Sequence, residues 1–211
     1  VHQLSATEQS GFVLNEFSAD AKVSPIITEL KSLSIKTPSS NVKTNLRFDY
    51  DSYPAYLNFI EEVKMTLDIR ESDLSFQDIA YFAPDLEGLD TKIDIIGEIE
   101  GTVDKLKGKD VDFLFGQHTH FEGEINLTGL PDIEQTLIYL KIRELTTSRQ
   151  DLINLPLPPF KERHSLELPE NFDYLGVMNF HGSFTGFYND FVAYGKLNTA
   201  IGSLSSDLSV K

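Results

Sequence analysis

The stretch His118-Thr119-His120-Phe121-Glu122-Gly123-Glu124 holds the densest set of groups able to bind a metal or move a proton. In an extended strand successive side chains point to opposite faces, so His118, His120, Glu122 and Glu124 would share one face. Two imidazoles and a carboxylate so placed can hold a divalent cation, with His118, His120 and Glu124 as ligands. No further histidine completes the set, because His164 and His181 lack suitable surroundings. A solvated outer face opposite Phe121 and Ile125 is the plainer reading, and no tight zinc or manganese binding is expected. Elsewhere there is no Gly-x-Ser-x-Gly elbow, phosphate-binding glycine loop or dinucleotide fingerprint. Asn126-Leu127-Thr128 fits a glycosylation acceptor, a tripeptide common by chance. Carboxylates are so many that spacing singles out no acid–base pair. The chemistry therefore points to a protein without an active site or cofactor.

Composition narrows the classes further. The 211 residues carry 18 basic against 33 acidic side chains, a net charge of −15. Nucleic acid is excluded as the main partner, since phosphate binding needs clustered lysine and arginine. Docking on an anionic lipid surface is disfavoured for the same reason. With no cysteine, a disulfide scaffold, a thiolate zinc site and a cysteine nucleophile are all excluded. Apolar residues at 40% suffice for a core. Nothing approaches the ~18 apolar residues of a membrane-spanning helix, and no signal peptide is visible. The first residue is Val, so a processed chain or a piece of a longer one is expected.

The elements that would position these groups are strands. Within 91–101, Ile93, Ile95 and Ile99 fall on one face, with Asp94, Glu98 and Glu100 on the other. Val111, Phe113 and Phe115 alternate with Asp110 and Asp112 over 109–115, and Phe121, Ile125 and Leu127 oppose Glu122, Glu124 and Asn126. Ile138, Leu140 and Ile142 form another run, and Met178, Phe180 and Phe184 begin a further one. The segments 30–35, 42–50 and 63–69 also read as strands. Strands in succession without long helices imply an antiparallel sheet.

Two short helices are expected, over 75–82 and 148–153, each opened by a serine and stopped before a proline. The proline-rich segment 155–160 cannot be a central strand; a connecting loop is favoured over a polyproline ligand. The segment 96–101 is echoed at 181–186, and in both an apolar residue follows five positions after the second glycine, at Leu106 and Phe191. Such an echo suggests one domain of two stacked repeat units, about 27–90 and 91–211.

Two resemblances bear on function. The spacing His-x-His-x-x-x-Glu at 118–124 resembles half of the cupin metal motif, with its glycines misplaced; it implies a metalloenzyme using His118, His120 and Glu124. A broader pattern begins at Leu74-Ser75-Phe76-Gln77-Asp78-Ile79-Ala80-Tyr81-Phe82-Ala83-Pro84 and runs through Gly97-x-x-x-Gly101-x-Val103, Phe115-Gly116 and Gly123. It continues with Leu127-Thr128-Gly129-Leu130-Pro131-Asp132-Ile133, Leu145-Thr146-Thr147 and the segment 155–160, and ends at Gly186-Phe187-Tyr188-Asn189-Asp190-Phe191. In order and number these resemble the translocation-and-assembly module B (TamB) group of the AsmA-like superfamily, in the form found in Bacteroidota.

That second resemblance implies a long sheet curled into a trough, a β-taco, with an apolar lumen. It implies a periplasmic protein anchored to the inner membrane, meeting an outer-membrane barrel of the BamA type. It further implies phospholipid transport towards the outer membrane and assistance to outer-membrane protein assembly. The present chain would be a middle segment without the anchor. Phospholipid, or another acyl-chain ligand, is then the expected partner, and the one-sided apolar residues from Ile93 to Phe184 named above are the candidate groove lining. A trough exposes more apolar surface than a monomer usually tolerates, so a ligand should cover it. An acyl chain gains ~0.8 kcal/mol per buried methylene. The 15 Phe and 8 Tyr suit such a lining, but a closed β-sandwich, acting as scaffold or adhesion module, would use the same residues. Period two leaves both open. A piece of an open sheet is also expected to associate edge to edge, through the strand-like stretch 197–210.

Overall fold

The alternating runs fold as strands of one antiparallel sheet in which each strand pairs with the next along the chain. The computed structural model describes residues 4–8, 11–162 and 164–210. The sheet opens with β1 (Leu4–Thr7), β2 (Val13–Ser24), β3 (Ile27–Lys36), β4 (Asn41–Asp49) and β5 (Lys64–Ser75). It continues with β6 (Lys92–Gly101), β7 (Lys105–Phe115), β8 (Thr119–Thr128) and β9 (Leu137–Thr147). A long connection then carries the small pair β10 (Pro156–Leu157) and β11 (His164–Ser165). The sheet resumes with β12 (Met178–Gly186), β13 (Phe191–Thr199) and β14 (Gly202–Val210). Among the described residues twelve strands lie in one sheet, with β1 and β14 at its two edges. The sheet is antiparallel, as the alternation led one to expect, and it is curled and not closed, as the resemblance implied. A sandwich of two facing sheets is not what these strands form. β5 and β6 pair from Met65 against Gly101 to Ser75 against Lys92, so the sheet runs unbroken past residue 90.

A line of register shifts crosses the sheet. Every neighbouring pair from β2–β3 to β9–β12 has one. A bulge leaves an unpaired residue, bends its strand and raises the local twist. Eight pairings with shifts in a row bend the sheet along one crease. Ser32 and Asp110 stand at two of these shifts with φ of 48° and 46°, a left-handed conformation in which a short polar side chain can bond locally. Asn45 Oδ1 accepts from the Ser32 amide at 2.9 Å. The Asp110 carboxylate accepts from Arg143 Nη1 at 2.6 Å.

The echo between 96–101 and 181–186 has a local cause. Gly101 and Gly186 end β6 and β12 with φ of 122° and 145°. Each faces the first apolar residue of the following strand, Leu106 and Phe191. A Cβ at residue 186 would lie 2.8 Å from Phe191 Cβ, so only glycine permits that approach.

Short helices cap the two ends of the sheet. Between β4 and β5 a 3-10 turn (Tyr53–Asn58) leads into α1 (Phe59–Glu62). Tyr50, Ala55 and Val63 are buried there, with Phe48 and Phe59 packed against them. At the opposite end, α2 (Phe76–Ala80) follows β5 and α3 (Arg149–Ile153) follows β9. Ser148 caps α3 by accepting from the Asp151 amide at 3.3 Å. Ser75 does not cap α2: its Oγ is buried without a partner, and the Phe76 amide instead donates to Thr91 O at 2.9 Å. In the proline-rich connection Pro158 and Phe160 are buried, which makes 155–160 a packed connector and not an exposed polyproline ligand.

Candidate functional site

One face of the sheet carries an apolar line from β2 to β14. Leu30 pairs with Leu46, Leu46 with Leu67, and Leu67 with Ile99. The line crosses Gly108 to Ile125, Leu140 and Phe184. Ala21 extends it on β2, and Ala193 and Leu208 carry it to β14. Eleven strands spaced about 4.8 Å apart make this line roughly 48 Å long. That is roughly three times the hydrocarbon depth of one bilayer leaflet.

Parallel lines flank it. Towards the α1 end, Leu106 pairs with Leu127, and Leu127 with Ile138. Across the crease, Ile95 pairs with Phe113, Phe113 with Phe121, and Phe121 with Leu145, which also pairs with Phe180. Beyond it Ile93 pairs with Phe115. Val111 and Ile142 stand on the crease, facing Gly123 from either side, and Met178 pairs with Thr147. All fifteen residues singled out from the sequence thus share one face. Val111, Phe121, Ile142 and Met178 are buried, and the other eleven are half-buried. In a face covered by a second sheet they would be buried. The whole chain, at 23.8 kDa, exposes 12635 Å², against roughly 9,900 Å² expected for a compact monomer of that mass.

The floor along the crease is sealed. Phe121 and Val111 are each 2% exposed and pack with Ile142. Phenylalanine rings cover glycines here: a Cβ at residue 123 would lie 3.0 Å from Phe121 Cζ, and one at residue 195 would lie 2.7 Å from Phe180 Cζ. Phe113 stacks on Phe121 with centroids 5.0 Å apart, and Phe184 on Phe191 at 4.6 Å. At the α1 end an aromatic group stands over the inner face. Phe59 meets Phe48 at 5.5 Å, while Tyr50 and Tyr56 lie 4.8 Å apart and both bond Thr28 Oγ1.

The other face is charged, and the histidine–glutamate group belongs to it. His118 is not on a strand: it ends the turn 116–118 before β8, and its amide donates to Asp151 Oδ2 at 2.6 Å. His120 Nε2 lies 2.9 Å from Asp112 Oδ1. Glu122 pairs with Arg143 at 3.1 Å, and Glu124 with Lys141 at 2.9 Å. The hydrogen bond from Lys141 to Glu124 raises the lysine pKa. Among the described residues no three metal-ligating side chains cluster. The expected arrangement of His118, His120, Glu122 and Glu124 on one strand face is thus corrected for His118, because β7 and β8 are joined by a tight turn that takes it out of the strand. His120 and Glu124 each have another partner on the outer face.

Concavities of about 620 and 880 Å³ lie elsewhere, at the end bearing α2 and α3. The second is walled in part by Asp151, which is 3% exposed. Burial alone would raise the Asp151 pKa. The amides of Gln117 and His118 and the Thr119 hydroxyl outweigh it by donating to the carboxylate, and the net shift is downward. Asp151 therefore ties the long 148–177 connection to the β7–β8 turn.

The sequence reading missed the N-terminal share of the apolar face, Leu30, Leu46 and Leu67 among it, although it recognised those strands. It also missed the aromatic group between β4 and β5, for which the run of five aromatics over 48–59 was the available signal. No known family model, curated protein or solved structure matches this chain.

Proposed function

We propose that the chain is a non-enzymatic segment that carries acyl chains along the apolar face of its sheet, the work implied by its resemblance to TamB-like proteins. The observation that supports this most is the uncharged line from Leu30 to Ala193, continuous across neighbouring strands and, apart from the buried Gly108, only half-buried. Its length suits a chain lying across the strands and sliding from one to the next. The opposite face, rich in ion pairs, keeps the curled sheet in water. On this reading the protein works in the periplasm, held to the inner membrane by parts outside this chain. It delivers phospholipid towards an outer-membrane barrel of the BamA type. The hydrogen bond between His120 and Asp112 and the ion pair of Glu124 with Lys141 support a structural role for those groups over metal chemistry.

Native mass spectrometry of the purified chain, with solvent extraction of its lipid, tests the reading. Phospholipid released in near-stoichiometric amount is expected. A lipid-free mass from cells rich in phospholipid would overturn it.

A further inference from the structure

The two rims of the curled sheet, where its strands turn, are built differently. At the end bearing α2 and α3 the connections 76–91 and 148–177 join into one belt. Lys161 pairs with Glu87 at 2.6 Å, and Gly88 lies against the Phe160 backbone. Among the described residues the belt meets each hairpin turn at that end. Tyr81 meets Phe12 edge-on at 5.3 Å beside the β1–β2 turn, and Asp78 Oδ2 accepts from Thr37 Oγ1 at 2.6 Å ahead of β4. Asp151 holds the β7–β8 turn, and Leu175 O accepts from the Ala200 amide at 2.9 Å in the β13–β14 turn. An acyl chain crossing this rim would have to part the belt from the turns.

The opposite rim has turns of two to four residues at 25–26, 102–104 and 187–190. Between β4 and β5 it carries the helical segment 53–62, which is apolar on two sides. Ala55 and Phe59 pack inward with Val63, Tyr50 and Phe48. Tyr53, Tyr56, Leu57 and Ile60 repeat at i, i+3, i+4 and i+7 to form a second stripe, and all four are exposed, Leu57 by 88%. A helix apolar all round is ordinarily covered all round. The stripe is held in place: the Asp104 amide donates to Ile60 O at 3.1 Å, and Tyr56 Oη to Thr28 Oγ1 at 3.2 Å. It is also continuous with the apolar face. Phe48 follows Leu46 on the same side of β4, and its ring meets Phe59 at 5.5 Å and Tyr56 at 6.3 Å. Exposed Asp51, Glu61 and Glu62 flank the stripe, so anionic lipid is repelled there. We infer that this stripe is the lip over which the acyl chains of zwitterionic phospholipid pass onto and off the face beside Leu46. The proposed passage of acyl chains along that face is the reading on which this entry point rests.

Phosphatidylcholine vesicles containing pyrene-labelled phosphatidylcholine, mixed with the purified chain, report lipid uptake as a loss of excimer emission. Leu57→Ser combined with Ile60→Ser should slow uptake by about tenfold, because two apolar contacts at the entry are lost. The final amount of bound lipid and the Tm should stay unchanged, since both side chains are exposed. Phe82→Ser, at a belt phenylalanine that is 75% exposed, should leave the rate as it is. Replacing part of the phosphatidylcholine with phosphatidylglycerol should slow uptake, and added salt should restore it. Unchanged uptake in the double variant, or equal slowing in Phe82→Ser, would overturn the inference while lipid binding itself stands. So would faster uptake from the anionic vesicles. An unaltered chain that takes up no lipid would overturn the proposed function, and the entry point with it.

Discussion

Phe113 lies face to face with Phe121 on the neighbouring strand, with ring centroids 5.0 Å apart and planes inclined by 17°. Phe121 is sealed into the floor of the sheet, while Phe113 keeps part of its ring in contact with the space above. The pair marks where the buried crease gives way to the open apolar wall.

Phe113→Arg therefore separates folding from occupancy. The change removes a stacked pair worth about 0.5–1.5 kcal/mol beyond its area, and the guanidinium can reach water from an open wall. Circular dichroism should show a folded chain with a lowered Tm, and extraction should recover little phospholipid. Asp112→Arg on the outer face loses one exposed contact with His120 and should cost less than about 1 kcal/mol, with lipid retained. Full lipid retention in Phe113→Arg would remove this strand from the groove.

The glycines under the rings should be intolerant of a single methyl. Gly195→Ala places a Cβ against the His181 carbonyl and the Phe180 ring, and an overpacked site of this kind costs about 1–3 kcal/mol. Gly202→Ala, with nothing near its Cβ and a φ of 148°, brings backbone strain without crowding, whereas Gly195, which has no left-handed φ, brings crowding alone. Thermal melts should show the larger loss in Gly195→Ala. An unchanged melt in Gly195→Ala would mean that crowding under Phe180 is not what matters.

How far the sequence spoke for this fold follows from where the alternation stays regular. Ile93, Ile95 and Ile99 were legible because β6 keeps its period over most of its length, as β9 does at Ile138, Leu140 and Ile142. β2 was not legible, because its shift near Ala19 breaks the period and small residues follow. The crease itself was invisible, since a bulge reads as one residue out of step. The candidate face was legible in β6 to β12, where large apolar residues fill alternate positions. It was missed in β3 to β5, where strands were recognised without a shared face. His118 was misplaced because no strong turn residue besides Gly116 announces the 116–118 turn.

Asp151 gives the chain an acid-labile latch. Its folded pKa is depressed, so the stability it contributes is present above the unfolded value, ~3.9 for an aspartate. That contribution is lost as pH falls through the folded value. Asp151→Asn should cost about 1–3 kcal/mol at neutral pH by weakening three hydrogen bonds to a buried acceptor. The Tm gap between the two proteins should narrow on acidification below the ordinary aspartate range. A gap that stays constant or widens in acid would show that the carboxylate charge does not hold the β7–β8 turn.

The central claim is that an acyl chain lies on the Leu140 side of β9 and not on the Lys141 side. A photo-cross-linking amino acid placed at residue 140 or at residue 141, in otherwise identical chains loaded with phospholipid, tests it most directly. Light should attach phospholipid at residue 140 and leave residue 141 essentially unlabelled, read by the mass of the intact chain. Equal labelling at the two positions, or none at residue 140, would contradict the account.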